Sequence, residues 1–272
     1  MNRYSSAIVA GFLFTVAIAL FTAAFRPNTH RPSVRMELGQ RFIASGDFDR
    51  AIETFDAVLQ VIPRHAVALH LRGLAHDRLG ETGQAIADYD RAIELDPAFF
   101  DAINDRGILL TRSGRLADGL ADFRRLVALE PNSTSARVNY AFALQKAGRL
   151  DEAAACLDVI DDALRDETVQ YLRACIAMAQ SDWVNADVAL SAAIEIDADE
   201  MKFWLNRAIS RWRLGRAAEA ISDLNQAARL DEDWMLQSTL AELRSRIEAS
   251  EPTPEATDVT ADIGRPEKPG WP

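Results

Sequence analysis

The sequence predicts an all-α protein, an α-solenoid of about six helical hairpins closed by one further helix. Three observations predict it. The stretch from Ala66 to Pro97 holds two helix-period blocks separated by Gly80, and it recurs with drift about every 34 residues. Small residues mark the first block of each unit at Gly39, Gly73, Gly107, Ala141, Ala174 and Ala208. A second small column, at Ala51, Ala85, Gly119, Ala153, Ala186 and Ala220, is followed four residues later by a large apolar one: Phe55, Tyr89, Phe123, Leu157, Leu190 and Leu224.

Each column has its own cause. Gly46, Gly80, Gly114, Gly148 and Gly215, with Ser181 in the fifth unit, stand where a helix ends in a left-handed residue. Small residues on facing helices let two backbones approach, and the large residue four positions on shares that face and fills the gap. Pro63, Pro97 and Pro131 close the first three units. Proline cannot continue a helix interior. A single hairpin of this kind cannot bury its apolar face, so neighbours must stack to bury it for one another.

These residues resemble the tetratricopeptide repeat family over about residues 33–232. The resemblance implies a right-handed superhelix whose inner face binds peptides or protein segments. It also implies that the first helix of each hairpin lines that face. The units run about 33–65, 66–99, 100–133, 134–166, 167–200 and 201–232, the fourth and fifth departing most from the pattern.

Ahead of the repeats come a short polar leader, residues 1–6, and an uncharged stretch of 19 residues, Ala7 to Phe25. At 1.5 Å per residue that stretch measures about 28 Å, near the thickness of a bilayer core. It reads as an uncleaved transmembrane anchor, with a signal peptide as the alternative. Arg3 and the short leader favour an exported repeat domain, as at a bacterial inner membrane. Arg26, Arg31 and Arg35 favour a cytoplasmic one. Residues 26–32 form a linker with two prolines. After the hairpins, residues 233–249 read as a capping helix, with Leu236, Leu240, Leu243 and Ile247 on one face. Residues 250–272 hold five of the ten prolines and five acidic residues, a composition too polar to build a core, and are expected to be a disordered tail.

Composition excludes several functions. The net charge of −11 and pI near 4.9 argue against a nucleic-acid footprint, which needs a basic patch. Cys156 and Cys175 are too few for a disulfide scaffold and lack metal-ligand spacing; they read as small buried residues, with their pairing left open. His70 and His76 lie six apart, on different faces of one helix, and no His-Glu-x-x-His pattern exists. The isolated glycines form no phosphate loop. Asn132-Ser133-Thr134 reads as a helix start capped by a hydroxyl. The expectation is a protein without catalysis, metal or cofactor.

Comparison of the units picks out one charged constellation. Arg72, Arg106 and Arg207 each precede the small column of a first helix, and Asp88, Asp122 and Asp223 stand 16 residues further on. The spacing predicts arginine–aspartate bridges within units two, three and six, acting as hairpin staples. Facing positions of the first helices supply the candidate groove: Leu74, Ile108, Phe142, Tyr171, Met178 and Trp212. Some tetratricopeptide proteins clamp a chaperone's C-terminal carboxylate with lysine, asparagine and arginine; here those positions read Met36 and Gln40, His70 and Leu74, or Asn104 and Ile108, without a lysine. The expected function is therefore a membrane-anchored scaffold that binds an apolar or amphipathic protein segment. A structural assembly subunit and an exported soluble periplasmic repeat protein are the alternatives.

Overall fold

The computed structural model describes residues 31–161, 166–230 and 237–249. The 7–25 stretch, the 1–6 leader and the 250–272 tail lie outside the described residues. Among the described residues no helix is long and apolar enough to cross a membrane.

Thirteen helices follow one another among the described residues: α1 (Pro32–Ala44), α2 (Phe48–Leu59), α3 (Ala66–Arg78), α4 (Thr82–Leu95), α5 (Phe100–Arg112), α6 (Leu116–Leu129), α7 (Thr134–Lys146), α8 (Leu150–Asp158), α9 (Glu167–Ala179), α10 (Trp183–Ile196), α11 (Met201–Arg213), α12 (Ala217–Leu230) and α13 (Gln237–Glu248). The fold class is all-α, with helices paired into hairpins. The described residues fall into two compact units, one up to Leu109 and one from Leu110 onward, and the division falls within α5.

The hairpin turns share one geometry. Five glycines have φ between 72° and 82°, and Ser181 has φ 60°. In the first turn Gly46 N–H donates to Ile43 O and Asp47 N–H to Phe42 O, the paired bonds that satisfy the last carbonyls of a helix. Ser181 and Asp182 repeat them on Met178 and Ala177. Side chains then cap the following starts: Asp47 for α2, His65 Nδ1 for α3, Ser133 for α7, Asp166 for α9 and Asp182 for α10.

In the first unit α1 packs on α2, α2 on α3 and α3 on α4. The small column explains the closeness. A Cβ on Gly39 would stand 2.6 Å from the ring of Phe55, and one on Gly73 would stand 2.9 Å from the ring of Tyr89. Both rings are fully buried. In the second unit the same positions carry alanine over leucine: Ala141 with Leu157, Ala174 with Leu190, and Ala208 with Leu224, one pair in each of three successive core clusters. Helix α13 closes the last cluster with Leu240, Leu243 and Ile247, all buried beside Leu205 and Trp212.

Two departures mark the middle of the second unit. Helix α8 has 9 residues, against 12 to 14 in the other second helices. Helix α10 is apolar around much of its circumference, with Val184 at 59% and Val188 at 63% exposure. The equivalent outward positions elsewhere are Asp49, Gly83, Ala117, Asp151 and Ala218, and Glu53, Ala87, Ala121, Ala155 and Ser222.

Candidate functional site

The charged constellation is a set of brackets. Arg72 Nε donates to Asp88 Oδ2 at 2.8 Å within its hairpin, and its Nη1 donates to Asp56 of the preceding hairpin. The hydrogen bond that Arg72 donates to Asp88 is the main reason its guanidinium is held above the usual arginine range. Arg207 repeats the arrangement: Nε and Nη2 donate to the two oxygens of Asp223 at 2.9 and 2.8 Å, and Nη1 donates to Ser191 at 3.1 Å. Arg106 Nη1 donates to Asp90 Oδ1 at 2.6 Å. Asp122 is buried, and it lies in the other unit. Arg173, whose repeat carries Ala189 where the second, third and sixth carry aspartate, turns to Asp158 and Leu157 O.

The backward bonds are absent from the sequence reading. Their signal was present: Asp56, Asp90 and Ser191 each stand 16 residues before an arginine, and Asp158 stands 15 before. The brackets are partly buried carboxylate pairs, suited to arginine's fork. Arg211 adds a further bond, from Nη1 to Asp223 Oδ2 at 2.9 Å, and Nε donates to Asp187 at 2.8 Å. Every named carboxylate here is engaged by protein groups. The network therefore joins helix to helix.

The candidate groove residues divide by depth. Leu74 and Ile108, in the first unit, are half-buried. In the second unit Phe142 and Tyr171 are half-buried, whereas Met178 and Trp212 are buried and present little surface to a partner. Trp212 is absorbed by the core that α13 closes, and Met178 by the cluster of α9, α10 and α11. Helical phase gave the direction of these side chains but not the depth at which the next helix covers them.

His70 and Tyr171 are used in linking first helices. His70 Nε2 bonds Asp105 Oδ2 at 2.8 Å and packs edge-on against Phe99. Asn206 Nδ2 donates to the Tyr171 hydroxyl at 3.1 Å. Both pairs are 35 residues apart, one repeat plus one position.

Around Phe142 and Tyr171 the second unit collects ring faces and ammonium groups. Lys146 Nζ lies 5.3 Å from the centroid of the Phe142 ring. Lys202 Nζ lies 5.4 Å from that of Tyr171 and 5.2 Å from that of Phe203. These distances are within the range of cation–π attraction. Lys202 also pairs with Glu200 at 2.9 Å. Cys175 sits among them; burial pushes its thiol up to about 11, while Tyr171 and the charges of Lys146 and Lys202 pull the other way. Burial likewise drives the Tyr171 phenol well above its ordinary value. Cys175 and Cys156 are free thiols.

The opposite side of α9 borders a cleft of about 440 Å³ along α8 and α10, lined by Ala154, Gln170, Arg173, Gln180, Val188 and Ala189 among others. Among the described residues no cluster of histidine, cysteine or acidic side chains has the arrangement to hold a metal.

Comparison with known proteins follows the same outline. Two family models, each described as tetratricopeptide repeat, match residues 36–98 and 171–234 in one case and 110–176 in the other. Among curated proteins no sequence matches. A tetratricopeptide repeat protein from Parabacteroides merdae is similar in structure at 18% identity and TM-score 0.60, covering 91% of this chain and 96% of its own. The type IV pilus biogenesis factor PilW is similar at 20% identity and TM-score 0.66, covering 77% and 98%. PilF of Pseudomonas aeruginosa is similar at 16% identity and TM-score 0.64, covering 78% and 97%. With hairpin turns, paired small and large columns and family models spread along the repeats, this chain belongs to the tetratricopeptide repeat family, whose members are protein-interaction scaffolds.

Proposed function

We propose that the chain is a membrane-anchored scaffold without catalysis, holding an apolar or amphipathic segment of another protein against the Phe142–Tyr171 face of α7, α9 and α11. The observation that carries this reading is the half-buried pair of aromatic rings, each with a lysine ammonium over it. Rings of this kind anchor interfaces because they bury a large area and lose little conformational freedom. Met178 belongs to the core cluster that Tyr171 packs against. Leu74 and Ile108 offer a comparable, purely aliphatic surface in the first unit. Residues 7–25 supply the anchor, with the repeats on the exported side.

The test is a photo-reactive benzoylphenylalanine at Gln145, on α7, in the full chain in its native membrane. Discrete adducts with a partner are expected. Phe142→Ala with Tyr171→Ala should weaken them about tenfold or more, the usual size of a hot-spot loss. An unchanged adduct pattern in that variant removes the groove assignment. A C-terminal reporter active only in the cytoplasm removes the exported orientation.

A second reading has its own observation. Val184 and Val188 expose an apolar strip on α10 where other units are small or polar, beside the 440 Å³ cleft. A permanent subunit packed there would make the chain part of a fixed assembly. A stoichiometric complex that survives high salt and is broken by Val188→Asp, but not by Phe142→Ala, would favour it.

A further inference from the structure

The lysines of this chain are distributed unevenly. Of its 30 basic residues only Lys146, Lys202 and Lys268 are lysine, and the first two both act on Cys175. Lys146, at the C-terminus of α7, is placed favourably for the helix dipole. Lys202 is not. It is the second residue of α11, where the positive end of the helix disfavours a cation. Its neighbour Glu200 offsets part of that charge. The face thus combines half-buried rings with two ammonium groups, in a chain whose net charge is −11. It suits a segment that alternates carboxylates with aliphatic side chains.

Such a segment stands in the same chain. Glu255, Asp258 and Asp262 are interleaved with Val259 and Ile263. The 250–272 stretch carries Glu251, Glu255, Asp258, Asp262 and Glu267 against Arg265 and Lys268. It follows α13, whose Ile247 shares a core with Leu205 and Trp212 of α11. Six residues of extended chain, Ala249 to Glu255, reach about 20 Å, roughly the length of a 13-residue helix such as α11.

We propose that residues 255–263 dock on the Phe142–Tyr171 face, carboxylates toward Lys146 and Lys202 and aliphatic side chains toward the rings, so that the tail competes with the partner segment. This rests on the proposed use of that face. A tethered segment has an effective concentration of about 1 mM, so an intrinsic dissociation constant on the order of 0.1 mM keeps the face about nine-tenths occupied. An incoming segment then binds about tenfold more weakly than to the open face.

Zero-length carbodiimide coupling of the full chain tests the contact, because it joins only an amine and a carboxylate already touching. A mixture of ¹⁵N-labelled and unlabelled protein is coupled, digested and read by mass spectrometry. The expected products join Lys146 or Lys202 to Glu255, Asp258 or Asp262 within one isotopic copy. Absence of such products overturns the proposal, and so do products that join labelled to unlabelled copies only. A second measurement uses a synthetic peptide of residues 253–265. It should bind the full-length Glu255→Gln/Asp258→Asn/Asp262→Asn variant about tenfold more tightly than the unaltered chain, and equal affinity for the two overturns the proposal. The Gln145 adducts report on the partner independently, so tail coupling without partner adducts defeats the groove reading alone.

Discussion

The contact between Gly39 and Phe55 gives the most direct test of how these hairpins are built. Gly39→Ala adds one carbon, and that carbon would stand 2.6 Å from Cε1 and from Cζ of Phe55 and 3.1 Å from Cε2. Carbon atoms pack best at about 3.5–4.0 Å, so the overlap is close to 1 Å. Phe55 is fully buried and has no solvent to swing into. Overpacking of this kind costs about 1–3 kcal/mol. Alanine returns about 1 kcal/mol through its better helix propensity. The net expectation is a loss of up to about 2 kcal/mol.

The second half of the experiment comes from the chain itself. Units one to three combine glycine with an aromatic residue, at Gly39 and Phe55, Gly73 and Tyr89, and Gly107 and Phe123. Units four to six combine alanine with leucine. Phe55→Leu alone should leave a void costing about 1–2 kcal/mol. The double variant should then recover stability, with a coupling energy of about 2 kcal/mol across the cycle. Urea unfolding followed by circular dichroism gives the global value. Amide exchange in α1 and α2 gives the local one, which matters because repeat arrays open unit by unit. The reasoning is refuted if Gly39→Ala is stabilising, or if its effect is the same in the Phe55→Leu background.

Three further outcomes are expected. Asp223→Ala removes the carboxylate shared by Arg207 and Arg211, whose own side chain is only 3% exposed, and should cost about 3–5 kcal/mol in urea unfolding; Asp90→Ala, at 50% exposure, should cost less than about 1 kcal/mol. Ser181→Gly should stabilise the fifth turn by about 1 kcal/mol, since φ 60° strains a residue with a side chain, and a lowered midpoint would contradict it. The Cys175 thiol, near 11 in the folded chain against 9.0 ordinarily, makes a contribution to stability that is fully present below pH 9 and is lost as pH rises toward 11. Alkylation of native Cys175 should accordingly accelerate through that window, and equal rates at pH 8 and pH 10.5 would contradict the assignment.

The helices and turns were legible because each is signalled locally and then repeated. Gly46 and its equivalents mark a left-handed turn wherever they recur, and Ser181 is readable there only because five glycines share its column. The spacing of Arg72 and Asp88 was legible for the same reason. Depth was not. Met178 and Trp212 lie in phase with exposed positions, yet neighbouring helices cover them, which no pattern within one helix reports. The link from Asn206 to Tyr171 was hidden because it joins different columns of successive units. The coupling of glycine to aromatic and alanine to leucine stood in the two columns from the start, but only the close approach of Gly39 to Phe55 gives it a physical meaning.

The backward reach of the arginines has a consequence for editing this chain. Arg106 meets Asp90 as Arg72 meets Asp56, each across 16 residues. Excision of residues 66–99, 34 positions in all, would therefore deliver Arg106 to Asp56 with its acceptor type unchanged. A cut one residue longer or shorter would swing that guanidinium about 100° around the helix axis and strand it. The molecule can be shortened by whole modules, and the reading frame for doing so is written in its ion pairs.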